Sequence, residues 1–373
     1  MKIKSIEPIA ISLPMLKPVI MATEQVHRAE NVLVRIETDD GVVGWGEAAS
    51  APGMTGDTLE SIVAAVHFFT PALLGRDPQD IEGAMTAMDR RMYGNGGAKA
   101  AVEIALYDLV GRATGKPVHA LLGDRVRSRM PLLGMIGGGS FQGDLDEAEK
   151  KKAAGFTVFK VKVGVDTAAK DAERTRAVCK VLGSGMIISA DANQGFSTAE
   201  AIDYVRGVKG AGVNFLEQPV VDDLGEMAKV AAVDSTIAIG ADEGIHSLAD
   251  IQSHHDSKAA HGVSLKAIKL GGLTNLVAAG RLCGKLGMSV NLSCKTGEAS
   301  IACAAALHAA SVIPNIDWAL TLTHTALGQD ITARPIPTAR GHVDMTEGHG
   351  LGVDVDEDRV TRHRIQIASR NVA

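Results

Sequence analysis

From about Met130 onward the chain repeats one unit: a short apolar run, a turn, then a polar stretch of helical pattern. The runs are PLLGMIG, TVFKVKV, MIISAD, VNFLE, TIAIGAD, VSLKAIK, MSVNLS and NIDWAL, separated by segments such as GDLDEAEKKKAAG and NLVAAGRLCGKLG. Short apolar runs of this length read as buried strands, and strands that alternate with helices read as parallel. Parallel neighbours need crossover helices, and closing the sheet on itself removes its edges. Eight such units predict an α/β fold, a (β/α)8-type (modified TIM) barrel over residues 126–325. An open, doubly wound sheet is the alternative arrangement.

Ahead of the barrel, residues 1–125 read as an α+β domain. A strand is expected over Ile3 to Leu13, and Asp40-Gly41 turns a hairpin inside NVLVRIETDDGVVGWGEAA. Helices begin near Asp57, Pro78 and Gly97, the last ending at Gly115 before Pro117. Residues 326–373 are expected to pack back on this first domain. At 373 residues, 46% hydrophobic and 22% charged, the chain has the material for both bodies.

Charge and cysteine usage exclude several classes. A net charge of -6, with no basic run longer than Lys150-Lys151-Lys152, leaves no footprint for nucleic acid. No apolar run of 18 residues occurs and the amino terminus alternates like a strand, so no membrane association is expected. Four cysteines without a CxxC pair argue against structural zinc and against a disulfide framework. A cytoplasmic protein is the expectation.

Barrel enzymes carry their chemistry at the carboxyl ends of the strands. Strand two, VFKVKVG, carries Lys160 and Lys162, whose i, i+2 spacing puts both on one face of an otherwise apolar run. Two lysines on a strand, seen alone, are more often the solvated face of an edge. Here strand three hands over Asp191, strand four Glu217, strand five Asp242 and strand six Lys266, at intervals of 24 to 29 residues. That interval is one βα unit, so the five sit at a similar height on consecutive staves. Three confined carboxylates call for a cation, and an all-oxygen donor set favours a hard ion, Mg2+ or Mn2+ in its place. Strands two and six lie half a circumference apart, so Lys162 and Lys266 face each other across the cavity. This suits proton transfer at both faces of a carbon next to a carboxylate, provided the resulting enediolate is stabilised. Lys160 and the metal are expected to lower the Lys162 pKa.

These motifs, the KxK of VFKVKVG, DANQ, LEQP, ADE and KAIKLGG, resemble the enolase superfamily, and its muconate lactonizing enzyme subgroup in particular. The likeness extends to GVVGWGEA, AKAAVEIALYDLVGRATGKPV and LLGDRVR, and so spans nearly the whole chain. A lysine or histidine base working with Mg2+ is that superfamily's established chemistry. The resemblance implies Asp191, Glu217 and Asp242 as metal ligands, and Lys162 and Lys266 as the acid/base pair, with Lys160 assisting. It also implies that the first domain caps the barrel mouth, so that MLKPVIMATEQVHRAEN and ASAPGMTGD shape the substrate pocket. Glu298 matches a glutamate of the lactonizing enzymes. Asn193 of DANQ, Cys294 at the end of strand seven and Asp317 of strand eight complete the substrate-binding candidates. A homo-oligomer is expected by analogy.

Departures narrow the substrate. Lys266 stands where the mandelate racemase branch has aspartate, and no histidine ends strand seven, which disfavours sugar-acid dehydration. Asp317 is followed by Ala319, so the DxD of dipeptide epimerases is missing. A Mg-dependent isomerase of a small-molecule carboxylate is expected, resembling muconate cycloisomerase or an amino-acid racemase or epimerase. A lyase of the dehydratase or succinylbenzoate-synthase kind, or a metal-free Schiff-base aldolase, is the alternative. GMIGGGS after strand one reads as a tight turn. With no partner histidine in view, nucleophilic use of Cys294 is not expected.

Overall fold

The computed structural model describes residues 1–20, 25–137 and 140–367. Strands β1 (Ile3–Ile20), β2 (Gln25–Thr38) and β3 (Val43–Ala49) form an antiparallel sheet in chain order. β1 runs on well past the expected Leu13, with a register shift against β2 between Pro14 and Val19. Gly41 takes a φ of 85° in the β2–β3 turn, in the left-handed region where glycine carries no steric penalty.

Both faces of this sheet are buried, and the period of two sorts its side chains between two layers. Val32, Val34 and Ile36 pack among α1 (Leu59–Leu73), α2 (Ile81–Arg91) and α3 (Gly96–Thr114), while Leu33, Ile9 and Ile11 join the core that continues into the barrel. Thr58 and Ser61 form a capping box on α1, and Asp80 caps α2. In α3 every residue from Gly97 to Gly111 is buried, so this helix has no solvent face. It lies close against β3, where Gly44 and Gly46 let the strand reach the helix backbone at Ala105 and Ala101. A short helix, α4 (His119–Leu122), and β4 (Arg129–Pro131) lead into the barrel.

Eight parallel strands follow: β5 (Leu133–Ile136), β6 (Val158–Lys162), β7 (Ile187–Asp191), β8 (Phe215–Glu217), β9 (Ala238–Ala241), β10 (Gly262–Leu265), β11 (Ser289–Ser293) and β12 (Leu320–Thr321). Each is hydrogen-bonded to the next in chain order, and a parallel bridge from Leu132 to Leu320 joins the first edge to the last. The crossovers are α5 (Phe141–Ala153), α6 (Ala168–Leu182), α7 (Thr198–Val208), α8 (Leu224–Ala231), α9 (Leu248–Asp256), the pair α10 (Ala267–Leu270) and α11 (Leu273–Leu286), and α12 (Ser300–Val312). The doubly wound alternative is thereby excluded.

Two strands depart from the apolar runs that predict them. In VSLKAIK the strand stops at Leu265; Lys266 is the last extended residue, and AIKL winds into α10, which Gly271 ends at a φ of 78°. In NIDWAL the strand begins only at Leu320, because Trp318 turns inward to stack on Phe215 at 3.9 Å between ring centroids. Gly240 and Gly262 leave room for that indole at the amino end of the barrel.

After the barrel, β13 (Thr338–Ala339) and β14 (His342–Asp344) form a small sheet with β4, and α13 (Glu357–His363) follows. This stretch touches both bodies. Gly350 bridges Pro117, Leu351 donates to Asp108 of α3 at 2.9 Å, and the Ile365 N–H donates to the Ala10 carbonyl of β1.

Candidate active site

Strand register sets the heights. Lys162 pairs with Asp191, Asp191 with Glu217, and Glu217 with Gly240, two residues before Asp242. The five residues of β6 are all buried, and its inward face presents Lys160 and Lys162 to the barrel interior, where the next strands bring their acids. Lys160 Nζ lies 2.5 Å from Glu217 Oε2 and 3.6 Å from Asp191 Oδ2. Lys162 Nζ donates to Asp191 Oδ2 at 2.7 Å and to Asn193 Oδ1 at 2.6 Å. On the other side of the ring, Lys266 Nζ donates to both Asp242 oxygens at 2.5 Å. β6 and β10 are four strands apart in the ring of eight, so Lys162 and Lys266 project from opposite walls.

Electrostatics follow from this pairing. Burial alone lowers a lysine pKa, but Glu217, Asp191 and Asp242 outweigh it at Lys160 and hold its pKa above the ordinary range. Lys266 is likewise raised, because Asp242 and Glu217 overcome its burial. Burial pushes Asp191 and Asp242 up, yet their lysines pull both below the usual carboxylate range. Glu217 stays raised: burial leads, Lys160 opposes it, and Asp191 and Asp242 add repulsion.

Two groups beside these were missed in the sequence. Lys269, the second lysine of KAIKLGG, donates to Asp242 Oδ1 at 2.6 Å and to the Ser264 carbonyl at 2.9 Å. It is reached only because α10 turns the motif into a helix, which apolar spacing gave no reason to expect. Glu243, inside ADE, accepts from Asn193 Nδ2 at 3.1 Å, and burial with Asp242 and Asp191 pushes it up to about 7. Ser264 Oγ donates to Glu217 Oε1 at 2.8 Å.

A cavity of about 240 Å³ opens over these groups. Lys160, Lys162, Asp191, Asn193, Glu217, Asp242 and Lys266 line its floor. Pro52, Gly53 and Met54 of the ASAPGMTGD loop cover one side, and Ser293, Cys294, Lys295, Thr296 and Thr323 form the wall at the last two strands. In MLKPVIMATEQVHRAEN, Met15 and Ala29 pack near the Gly297 turn, and residues 21–24 lie outside the described residues. Residues 138 and 139 of GMIGGGS lie outside them too.

Two of the substrate-binding candidates are not in this wall. Asp317 is exposed and sits three residues before β12, at the amino end of the barrel, because Trp318 plugs that end. The eighth strand delivers Thr321 and Thr323 to the carboxyl end instead. Glu298 is buried behind the wall, where the Lys295 N–H donates to its Oε2 at 2.8 Å; burial, with Cys303 adding to it, pushes its carboxyl up to about 8. Glu47 of the GVVGWGEA hairpin, whose role the sequence left open, accepts the backbone N–H groups of Ala299 and Ala302 at 2.8 and 2.9 Å and so caps α12.

The carboxylates can be tested as a metal site. Among the described residues no three acidic, histidine or cysteine side chains stand together in a way that encloses an ion. The acids are drawn to lysines instead, Asp191 to Lys162, Glu217 to Lys160, and Asp242 to Lys266 and Lys269. The donor set itself fits a hard divalent ion: three carboxylates on three adjacent strands, all buried, with Glu217 Oε2 receiving no aligned hydrogen bond from its ion-pair partner. Three acids around one ammonium is a place where positive charge is favoured.

A closed parallel barrel, a capping sheet and a lysine–carboxylate floor at the strand ends define a barrel enzyme with acid/base machinery. The domain model for the mandelate racemase / muconate lactonizing enzyme N-terminal domain matches residues 6–123, and the enolase C-terminal domain-like model matches residues 144–359. The chain belongs to the enolase superfamily, in its muconate lactonizing enzyme subgroup. It is 31% identical to a chloromuconate cycloisomerase of Cupriavidus necator, over 99% of this chain and 100% of the relative. It is 34% identical to the L-Ala-D/L-Glu epimerase of Bacillus subtilis, over 95% and 97%. The crystal structure of 2-chloromuconate cycloisomerase from Rhodococcus opacus superposes with a TM-score of 0.94 at 28% identity, over 98% and 100%. The protein is an isomerase of this superfamily.

Proposed function

We propose that the protein removes the α-proton of a small-molecule carboxylate substrate and returns a proton to the same carbon or to its conjugate position, in a divalent-ion-dependent isomerisation. The observation that carries this is the placement of Lys162 and Lys266 on opposite walls of one cavity, above three buried carboxylates. Opposed amines can serve as base on one face and acid on the other.

Asp191, Glu217 and Asp242 would hold the ion, Mg2+ or Mn2+. Held there, such an ion would offset the negative charge that grows on the substrate as the proton leaves. Lys162, aligned by Asn193, and Lys266, aligned by Asp242, trade the proton at the substrate carbon. Lys160 holds Glu217 and Asp191 in place through its two ion pairs. Pro52, Gly53 and Met54 cover one side of the cavity. Epimerisation at a carbon needs acid/base groups on both of its faces, and cycloisomerisation needs one at the carbon where the proton moves. The wall at strands seven and eight offers Lys295 and hydroxyls, and Asp317 lies at the far end of the barrel. A substrate carrying a free ammonium group finds no carboxylate there, which favours muconate-like diacids or N-substituted and cyclic amino acids.

The Schiff-base alternative, on Lys160 or Lys162, needs no metal and leaves the three buried carboxylates on adjacent strands without a role. Borohydride with a carbonyl substrate tests it directly, with no trapped lysine expected. The main test is solvent-deuterium exchange into muconates, N-acyl amino acids, proline derivatives and dipeptides. Exchange into one class with Mg2+ present, lost on chelation, is expected. Lys162→Ala and Lys266→Ala should each lower turnover by about 10²-fold to 10⁴-fold. Exchange that survives chelation and both substitutions overturns the reading.

A further inference from the structure

The wall of the cavity is gripped from behind by two polar side chains of the first domain that the proposed chemistry does not use. Asn31 of β2 and Glu47 of β3 are both wholly buried. Asn31 pairs with Ala49 in the sheet, so Glu47 is its diagonal neighbour on the same face. Asn31 Nδ2 donates to Glu47 Oε1 at 2.7 Å and to the Gly297 carbonyl at 2.9 Å. Glu47 in turn accepts the N–H groups of Ala299 and Ala302. Together the two hold residues 297–302, which follow directly on the wall residues Cys294, Lys295 and Thr296. Gly297 has a φ of 91°, and a Cβ there would meet the Ala29 Cβ at 2.6 Å, so the loop lies against β2 as closely as a glycine permits. From the barrel side, Thr323 Oγ1 reaches the Lys295 and Glu298 carbonyls at 2.9 and 3.1 Å.

The same strand leads into the cover of the cavity. Beyond the end of β3, the Ser50 N–H donates to the Glu30 carbonyl at 2.9 Å, Ala51 bridges Asp57, and Pro52, Gly53 and Met54 lie in the turn between them. Cover and wall are thus tied together at Asn31 and Glu47, within a few residues of each. Asn31 is costly there: its Oδ1 finds no partner among the described residues, a penalty that an apolar side chain of its size would not carry. What accounts for an asparagine is the pair of bonds made by its nitrogen.

We propose that Asn31 and Glu47 are positioning residues for the substrate. Acting through Gly297, Ala299 and Ala302, they set the gap between the wall at Lys295 and Thr296 and the cover at Pro52, Gly53 and Met54, and so the breadth of carboxylate that the cavity admits. The lysines that trade the proton are on β6 and just past β10, each braced by a carboxylate of the floor. Loosening the tie therefore alters how a substrate fits and leaves the proton transfer itself in place.

The test uses the full-length protein, wild type beside Asn31→Ala and the milder Glu47→Gln, which turns one of two accepting oxygens into a donor. Amide deuterium exchange read by mass spectrometry needs no substrate. Peptides over residues 294–303 and 50–57 should exchange about tenfold faster in both variants, with those over 158–163 and 187–191 unchanged. The kinetic arm rests on the reaction proposed above and uses the compounds named there: KM should rise about tenfold while kcat holds. Unchanged exchange at 294–303 overturns the proposal, as does a fall in kcat at constant KM. Faster exchange throughout the barrel in both variants overturns it too, since the pair then serves stability alone. If none of the compounds turns over, the reaction proposed above fails, while amide exchange still decides the role of Asn31 and Glu47.

Discussion

Glu298 shows how one residue in the seventh-strand loop can couple the site to pH. Its carboxyl is buried, with a backbone N–H on one oxygen and Cys303 close by, and is pushed up to about 8 from an ordinary value of 4.5. A carboxyl raised on folding favours the folded state in its protonated form. That contribution is complete below about 4.5 and fades as pH climbs through about 8. Glu298→Gln cannot ionise. Urea midpoints measured from about pH 5 to about pH 9 should therefore show wild type losing ground to the variant as pH rises. Glu47 is also pushed up by burial, and the Glu298 charge adds to that, so Glu298→Gln relieves Glu47 as well and widens the difference in the same direction.

At the scale of elements, the docking of β3 on α3 holds the sheet of the first domain to its helices. A Cβ on Gly46 would collide with the Ala101 carbonyl of α3, so Gly46→Ala must push strand and helix apart. A loss of about 1–3 kcal/mol is expected in urea denaturation, the usual cost of overpacking. A surface glycine such as Gly53, with open space around its missing Cβ, should tolerate alanine. Elements also show what pattern can and cannot reveal. The strand ends bearing Lys162, Asp191, Glu217 and Asp242 were legible, because apolar runs and a repeat of one βα unit mark both the strand and its terminus. NIDWAL misled because Trp318, although apolar, fills the barrel's floor instead of continuing a strand. KAIKLGG misled because four helical residues carry no periodicity of their own, and so Lys269 went unassigned.

Across the whole molecule, the acids of the floor are matched by ammonium groups. Lys162, Lys160, and Lys266 with Lys269 answer Asp191, Glu217 and Asp242. An ion that binds the folded protein alone adds stability by mass action, about 2.7 kcal/mol at a hundredfold excess over its Kd. Mg2+ should therefore raise the melting temperature of wild type, and Asp191→Asn with Glu217→Gln should abolish the rise. Chelation should end exchange activity while leaving the circular dichroism spectrum intact. A protein whose floor carries its own counter-charges does not depend on a cofactor to finish folding. Under the function proposed above, folding and activation are then separate events, and the folded molecule waits for its ion.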